Sequence, residues 1–325
     1  MDGNIWRVLV LSSFLCASLV SAKPAQAQTY PDKPVKIVVG FSAGSGPDVI
    51  ARSIGAQLTN DLKQSFYIEN KVGANGAIAI KSVITSDPDG YSILYSSSSI
   101  ASVPHVYKSL GHDILKEFAP VATSGILDGY FMLVNPKLPV TNVADFIAYA
   151  KKNRVVYGSP GVGNVLHLAA EMFNLRAGVE MEHLPFRGAS DVAAALMAET
   201  IQVMFVTPPS VISLVESGDL RAIGFTGSKR FPATPNVPLV SETVSTFPVT
   251  GSWGMFYVPA KTPAAVVDKL NGAIRAAMLS AQVQNVVVKS GYIPDDRSAA
   301  QTAAFFKAEV DAAGIAVQAA KILPN

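Results

Sequence analysis

The chain has 325 residues, a formal charge of +2 and 49% hydrophobic residues, enough for a large core and too evenly charged for a nucleic-acid-binding surface. Its one cysteine is Cys16, in an N-terminal apolar run, so neither a disulfide framework nor thiol chemistry is available to the rest of the chain. That run, Val8 to Val20, follows Arg7 and precedes Ala25-Gln26-Ala27, the layout of a secretory signal cleaved after Ala27. It falls short of the roughly 20 apolar residues that span a bilayer, and Phe14 and Leu15 before Cys16 do not suit a lipoprotein cleavage site. The expected product is an exported protein without a lipid anchor. Removing residues 1–27 takes Arg7, Lys23 and Asp2 and leaves the charge near balance.

In chain order, the β-branched run VKIVV (35–39) leads through small residues into a helix over 47–63. The strand SFYIEN (65–70) is followed by a helix over 76–86, and YSILYS follows an Asp89-Gly90 turn. Further on, VVYGS precedes a helix from about 164 to 177, Trp253 to Val258 reads as a strand, and 297–322 as a long terminal helix. Strands alternating with helices predict an α/β protein with mostly parallel sheets, whose ligands sit at the carboxyl ends of strands. Small-residue loops lie at such ends. Three precede about residue 130 (41–46, Gly73-Ala74-Asn75-Gly76 and Ser96 to Ser99), and three follow it (158–164, Arg187-Gly188-Ala189-Ser190 and 205–209). Two lobes with a cleft between them fit that division.

The stretch 35–52, VKIVVGFSAGSGPDVIAR, is the most informative. Gly44 and Gly46 let main chain approach a ligand, Pro47 suits a first helical position, and the orphan N–H groups of a helix start attract a carboxylate or phosphate without a basic side chain. The same stretch contains Gly40-Phe41-Ser42-Ala43-Gly44, a literal G-x-S-x-G, which raises an exported serine hydrolase using Ser42 as an alternative. Against it, the last histidine is His183, whereas a triad of this order needs its His late in the chain. A dinucleotide site is disfavoured as well: Val49 stands where the third Gly or Ala after Gly44-x-Gly46 belongs, and Glu69 is the nearest candidate acid.

Taken together, YPDKPVKIVVGFSAGSGPDVIAR, IENKVGANGAIA, SDPDGYSILYSSS, GVGNVLHLAAEMF, HLPFRGASDVAAAL, QVMFVTPPS, GDLRAIGFTGSKRFPATPNVPLVSE and VPAKTPAAVVDKLNGAI resemble the solute receptors of tripartite tricarboxylate transporters, the Bug family. Their order and spacing cover essentially the whole mature chain. The resemblance implies a type II periplasmic binding fold: two α/β lobes joined by crossing strands that close on a small carboxylate in the periplasm. It implies residues 28–130 plus 246–325 as lobe 1 and 131–245 as lobe 2. It further implies a monomer, the membrane permease subunits of such a transporter as partners, no catalysis, and neither metal nor cofactor. A ligand sensor feeding a signalling receptor is the remaining alternative.

Phe41, Ser42, Ala43, Gly44, Ser45 and Gly46 match the family's F-x-x-G-G-x-x-D carboxylate loop, with Ser45 in place of the second Gly. Asp48 matches the family acid, but an Asp in a first turn serves the helix dipole and can pair with Arg52. Ala74, the hydroxyls of Ser97 and Ser98, Ser159, Gly161 and Gly163 fall in the remaining loops, with Asn164 as a suitable N-cap. His167 is either a ligand contact or a satisfied structural group. Arg187 either grips a second carboxylate or braces the loop from outside, which leaves the main chain of Gly188 and Ala189 as the safer contacts. At FVTPPS, Val206 and Thr207 stand where many members carry Asp-Asn, and Val165 is apolar, so the expected ligand is a carboxylate without an ammonium group and with an apolar or aromatic body, an aromatic or a dicarboxylic acid being the candidates. Of Tyr130, Phe131, Trp253 and Phe256, Trp253 is the preferred aromatic contact.

Overall fold

The computed structural model describes residues 30–248, 250–289 and 291–324, so the signal segment 1–27 lies outside the described residues. The chain divides into two units, Met1–Asp32 and Lys33–Asn325, and the described regular elements lie in the second.

The strands are β1 Val35–Val39, β2 Phe66–Asn70, β3 Ser92–Ser97, β4 Phe118–Leu127, β5 Phe131–Val134 and β6 Val155–Ser159. They continue with β7 Met181–Pro185, β8 Val203–Val206, β9 Arg221–Phe225, β10 Ser252–Pro259 and β11 Tyr292–Ile293. Two sheets result, ordered β11-β4-β10-β3-β1-β2 and β7-β6-β8-β5-β9, each the centre of one lobe with its own apolar core. The continuous apolar runs at β5, β8 and β10 are buried throughout, as strands covered on both faces require.

The sheets are mixed, which corrects the expectation of mostly parallel pairing. β1 pairs parallel with β2 and β3, and β6 with β7 and β8, but β4, β5, β9, β10 and β11 run antiparallel to their neighbours. The antiparallel strands are largely those that flank the crossings. The chain leaves the first sheet between β4 and β5 and returns between β9 and β10, and a strand arriving from the other lobe enters without a helical crossover.

At these crossings the two passes lie side by side. Tyr130 N–H donates to Thr226 Oγ1 (2.8 Å), Thr226 N–H to Tyr130 O (3.0 Å) and Thr226 Oγ1 to Thr250 O (2.9 Å). Glycine is required here by close approach: a Cβ on Gly129 would stand 2.5 Å from Gly227 N, and one on Gly251 would stand 2.1 Å from Leu127 O.

In both lobes the strand order positions a loop for binding. Around β1 the order is β2-β1-β3, and around β6 it is β7-β6-β8, so the chain departs to one side of each central strand and later returns to the other. A crevice opens at the carboxyl end of such a switch point. The loops that follow β1 and β6, residues 40–45 and 160–164, occupy those two ends.

Candidate functional site

Between the lobes, the two switch-point loops meet in a cleft of about 50 Å³. From the first lobe it takes Phe41, Ser42, Ser45, Gly46, Ser97 and Ser99. Asn164, Gly188, Ala189 and Thr207 come from the second lobe. No charged side chain of either sign lines it among the described residues.

Three helix N-termini converge on this space. Gly46–Leu62 begins with Pro47 in its first turn, which supplies no N–H, so Gly46 and Asp48 carry its orphan amides. Its N-cap, Ser45, makes no capping bond, and Ser45 Oγ is buried without a partner among the described residues. Val165–Ala177 is capped by Asn164, whose Oδ1 accepts from Leu166 N–H (3.0 Å). Ala189–Met197 starts at Gly188, which offers no side-chain cap. Each N-terminus acts as roughly half a positive charge, so the cleft is electropositive without a lysine or arginine. Such an arrangement favours an anion over a cation.

The loop carrying the first N-terminus is braced from behind. Asp48, 1% exposed, accepts from Gly44 N–H (2.8 Å), Arg52 Nε (2.9 Å) and Asn70 Nδ2 (2.8 Å), while Asn70 Nδ2 also donates to Phe41 O (2.9 Å). Burial alone would raise the Asp48 pKa, but the hydrogen bonds from Arg52, Asn70 and Gly44 outweigh it and hold the carboxyl below its ordinary range. Asp48 therefore faces away from the cleft as a brace.

Polar contacts tie the lobes across the cleft. Asn164 Nδ2 donates to Asn75 Oδ1 (2.9 Å), Val165 N–H to Ser99 Oγ (3.5 Å), Tyr107 OH to Val162 O (2.8 Å), and Ser102 Oγ to Gly163 O. Gly188 sits so close to the opposite loop that a Cβ there would lie 2.5 Å from Ser42 Oγ.

The remaining sequence-predicted residues fall around the cleft instead of in its wall. Ala43 and Gly44 are exposed on the outside of their loop, and Ala74 is exposed at a positive φ of 46° beside Asn75. Gly161 lies near Asn75 N, and Gly163 packs on Val106, where its φ of 73° and the absence of a Cβ are both used. Arg187 is exposed and outside the lining. Ser98 and Trp253 turn toward a second cavity: Ser98 Oγ bonds Ser252 Oγ (2.8 Å), and Trp253 Nε1 donates to Glu309 Oε2 (2.7 Å). Tyr130 lines that cavity too, whereas Phe131 and Phe256 are core.

Ser159 and His167 belong to a buried polar cluster behind the 160–164 loop. His167 Nδ1 accepts from Gly163 N–H (2.9 Å), which leaves its proton on Nε2. Its ring stacks on His183 at 3.9 Å between centroids, and His183 Nε2 bonds Ser159 Oγ (2.6 Å). Tyr157 OH donates to Glu171 beside them. Burial, and for His167 also the neighbouring imidazole, pushes the pKa of His167 down to about 3, and burial pushes that of His183 down to about 4.

Ser210, Ser252 and Tyr292 also line the cleft and are not expected from the sequence. Ser210 closes the quoted FVTPPS motif and bonds Thr207 Oγ1 (3.1 Å), the one local signal available. Burial, partly offset by a hydrogen bond from Ser252, raises the Tyr292 phenol to about 12, so it stays a neutral donor. Ser42 has no histidine or carboxylate beside it in the lining, as a nucleophile of the elbow type would need.

Two mixed α/β lobes on crossing strands, with an anion cleft at facing switch points, define a periplasmic-type solute-binding protein. Comparison places the chain more closely: residues 50–322 match the model of the tripartite tricarboxylate transporter family receptor, and the chain belongs to that family. Over 314 residues it is 30% identical to a UPF0065 protein of Bordetella pertussis, covering 95% of this chain and 96% of that one. Among solved structures it is similar to the periplasmic binding protein BugD (TM-score 0.85, 27% identity, 91% of this chain and 100% of that one). It is similar also to R. palustris Rpa4515 with adipate (TM-score 0.86, 29% identity, 91% and 100%). No helix among the described residues is long and apolar enough to cross a membrane.

Proposed function

We propose that this receptor, exported to the periplasm by its N-terminal signal, captures a small carboxylate lacking an ammonium group and delivers it to the membrane subunits of a tripartite tricarboxylate-type transporter. The observation that carries the reading is the convergence of three helix N-termini on a cleft lined by no charged side chain among the described residues. Such a site stabilises negative charge by main-chain dipoles and sets no carboxylate in the cleft wall to pair with an ammonium, whose burial unpaired costs several kcal/mol. Adipate, held in a similar structure, likewise carries carboxylate and no ammonium.

In this reading the amides of Gly46 and Asp48, Ser45 Oγ, the Gly188–Ala189 main chain and the hydroxyls of Ser42, Ser97 and Thr207 hold the carboxylate. Lobes of 28–130 plus 246–325 and 131–245 close on it as the receptor acts as a monomer. The cross-lobe bonds at Asn75, Ser99, Ser102 and Tyr107 supply the closed form's contacts. Thermal unfolding of the mature protein against panels of carboxylates and amino acids tests this, because a ligand at 100 times its Kd adds about 2.7 kcal/mol to stability. Stabilisation by ammonium-free acids is the expected result. Preference for aspartate or glutamate would refute the account of the cleft, and labelling of Ser42 by a serine-reactive probe would refute the receptor assignment in favour of a hydrolase.

A further inference from the structure

Building on the carboxylate reading above, we propose that the ligand carries an uncharged, largely apolar body that lies in a chamber beside the anion cleft, so that the receptor selects apolar monocarboxylates over dicarboxylates. The cleft itself is too small for anything but the charged head. Its 50 Å³ holds roughly four waters at 10–15 Å³ each, or a carboxylate and a carbon or two.

The chamber measures about 510 Å³ and shares two wall residues with the cleft, Val165 and Ser252. The shared wall is Val165 on one lobe and, on the other, Ser252, whose Oγ is hydrogen-bonded to Ser98 on the chamber side. Because its halves belong to different lobes, the wall exists only when the lobes meet. A ligand bound before closure spans it and holds Val165 away from Ser252.

The chemistry of the chamber sets the body. Its walls are chiefly Leu168 and Met172 from the helix Val165–Ala177, Trp253 and Phe305, and the alanine face of the helix Ala299–Ala319. A cavity of about 150 Å³ holds a benzene ring, so this one has room for about three rings or a chain of roughly eight or more carbons. The charged groups in its lining are both acidic, Asp128 and Glu309, and neither has a basic partner within ion-pair distance among the described residues. A second carboxylate entering here meets like charge with no compensating cation. Asp128 already accepts from Ser228 N–H (3.0 Å) and Ser228 Oγ (2.8 Å), and Glu309 from Trp253, so the acids are partly satisfied without a cationic ligand. Thr250 Oγ1 is buried in the lining without a partner among the described residues and accommodates one hydroxyl or carbonyl on the body, not a charge.

Calorimetric titration of the mature protein with acetate, octanoate, suberate and 8-aminooctanoate tests the proposal. Octanoate is expected to bind at least tenfold more tightly than either acetate or suberate. Ala312→Trp, which fills the chamber from an exposed helix position, should weaken octanoate at least tenfold. Glu309→Gln, which keeps an acceptor for Trp253, should raise suberate affinity several-fold. Failure of every carboxylate to bind wild type would sink the carboxylate reading itself. Acetate binding with octanoate no tighter, or octanoate binding indifferent to Ala312→Trp, would overturn the chamber while leaving that reading intact. Suberate or 8-aminooctanoate matching octanoate would overturn the requirement for an uncharged body.

Discussion

Lowering the pH from 7 to 5 should cost this fold about 4 kcal/mol through two imidazoles alone. His167 and His183 stack with 11° between ring planes, and their pKa values stand near 3 and 4 in the folded protein against an ordinary 6.5. Below pH 6.5 the unfolded chain binds two protons that the folded protein does not, so the stability present at neutral pH falls as the solution is acidified. At about 1.36 kcal/mol per pH unit per group, the 1.5 units down to pH 5 amount to about 2 kcal/mol each. The loss levels off only when the folded rings themselves protonate, near pH 3–4, and protonating His167 Nδ1 would break its bond from Gly163 N–H. Carboxyls held low by their partners, such as Asp48, lose their contribution only below their ordinary range and leave this window clear. Urea unfolding at pH 7, 6 and 5 measures the effect, with the midpoint moving while the slope against denaturant stays constant. His183→Gln should remove about half of the pH dependence. A stability that is flat between pH 6.5 and 5, or a His183→Gln variant with the full slope, would refute the reasoning.

Gly188→Ala should weaken ligand binding by fivefold or more with little change in unfolding temperature, because its Cβ meets Ser42 Oγ only when the lobes touch; calorimetric titration checks it, and an unchanged affinity would show that the contact does not control closure. Asn164→Asp keeps the cap on Leu166 N–H but puts a negative charge in the anion cleft, so titration with any carboxylate that binds wild type should show at least a tenfold loss. An unchanged affinity would exclude this cleft as the carboxylate site.

What is legible in the sequence is mostly local. β1, the turn rich in small residues and Pro47 lie within one stretch, and the same is true of Asn164 at its helix start, so backbone signals alone place two of the three N-termini. Strand direction is not written locally: β5, β9 and β10 read like any other apolar strand, and only the crossings make them antiparallel. Ser252 and Tyr292 reach the cleft through the return pass and a two-residue strand far along the chain, with no motif to mark them. His167 reads equally well as a ligand contact because nothing in its own helix shows that His183, on β7, lies flat against it. Trp253 stands out for its ring, but its indole N–H is committed to Glu309 on the terminal helix, a pairing 56 residues apart.

In the proposed reading the acid group is gripped by main chain, and main chain is what substitution changes least. Replacing Ser42, Ser97 or Thr207 alters a hydroxyl, yet the main chain at Gly46 and Asp48 and at Gly188 and Ala189 stays where the sheets put it. Val165, Met172 and Ala312 are ordinary side chains on helix surfaces, free to grow or shrink without disturbing either sheet. A duplicated gene would therefore move to a new nutrient by editing a few of these positions while inheriting its grip on the acid group unaltered.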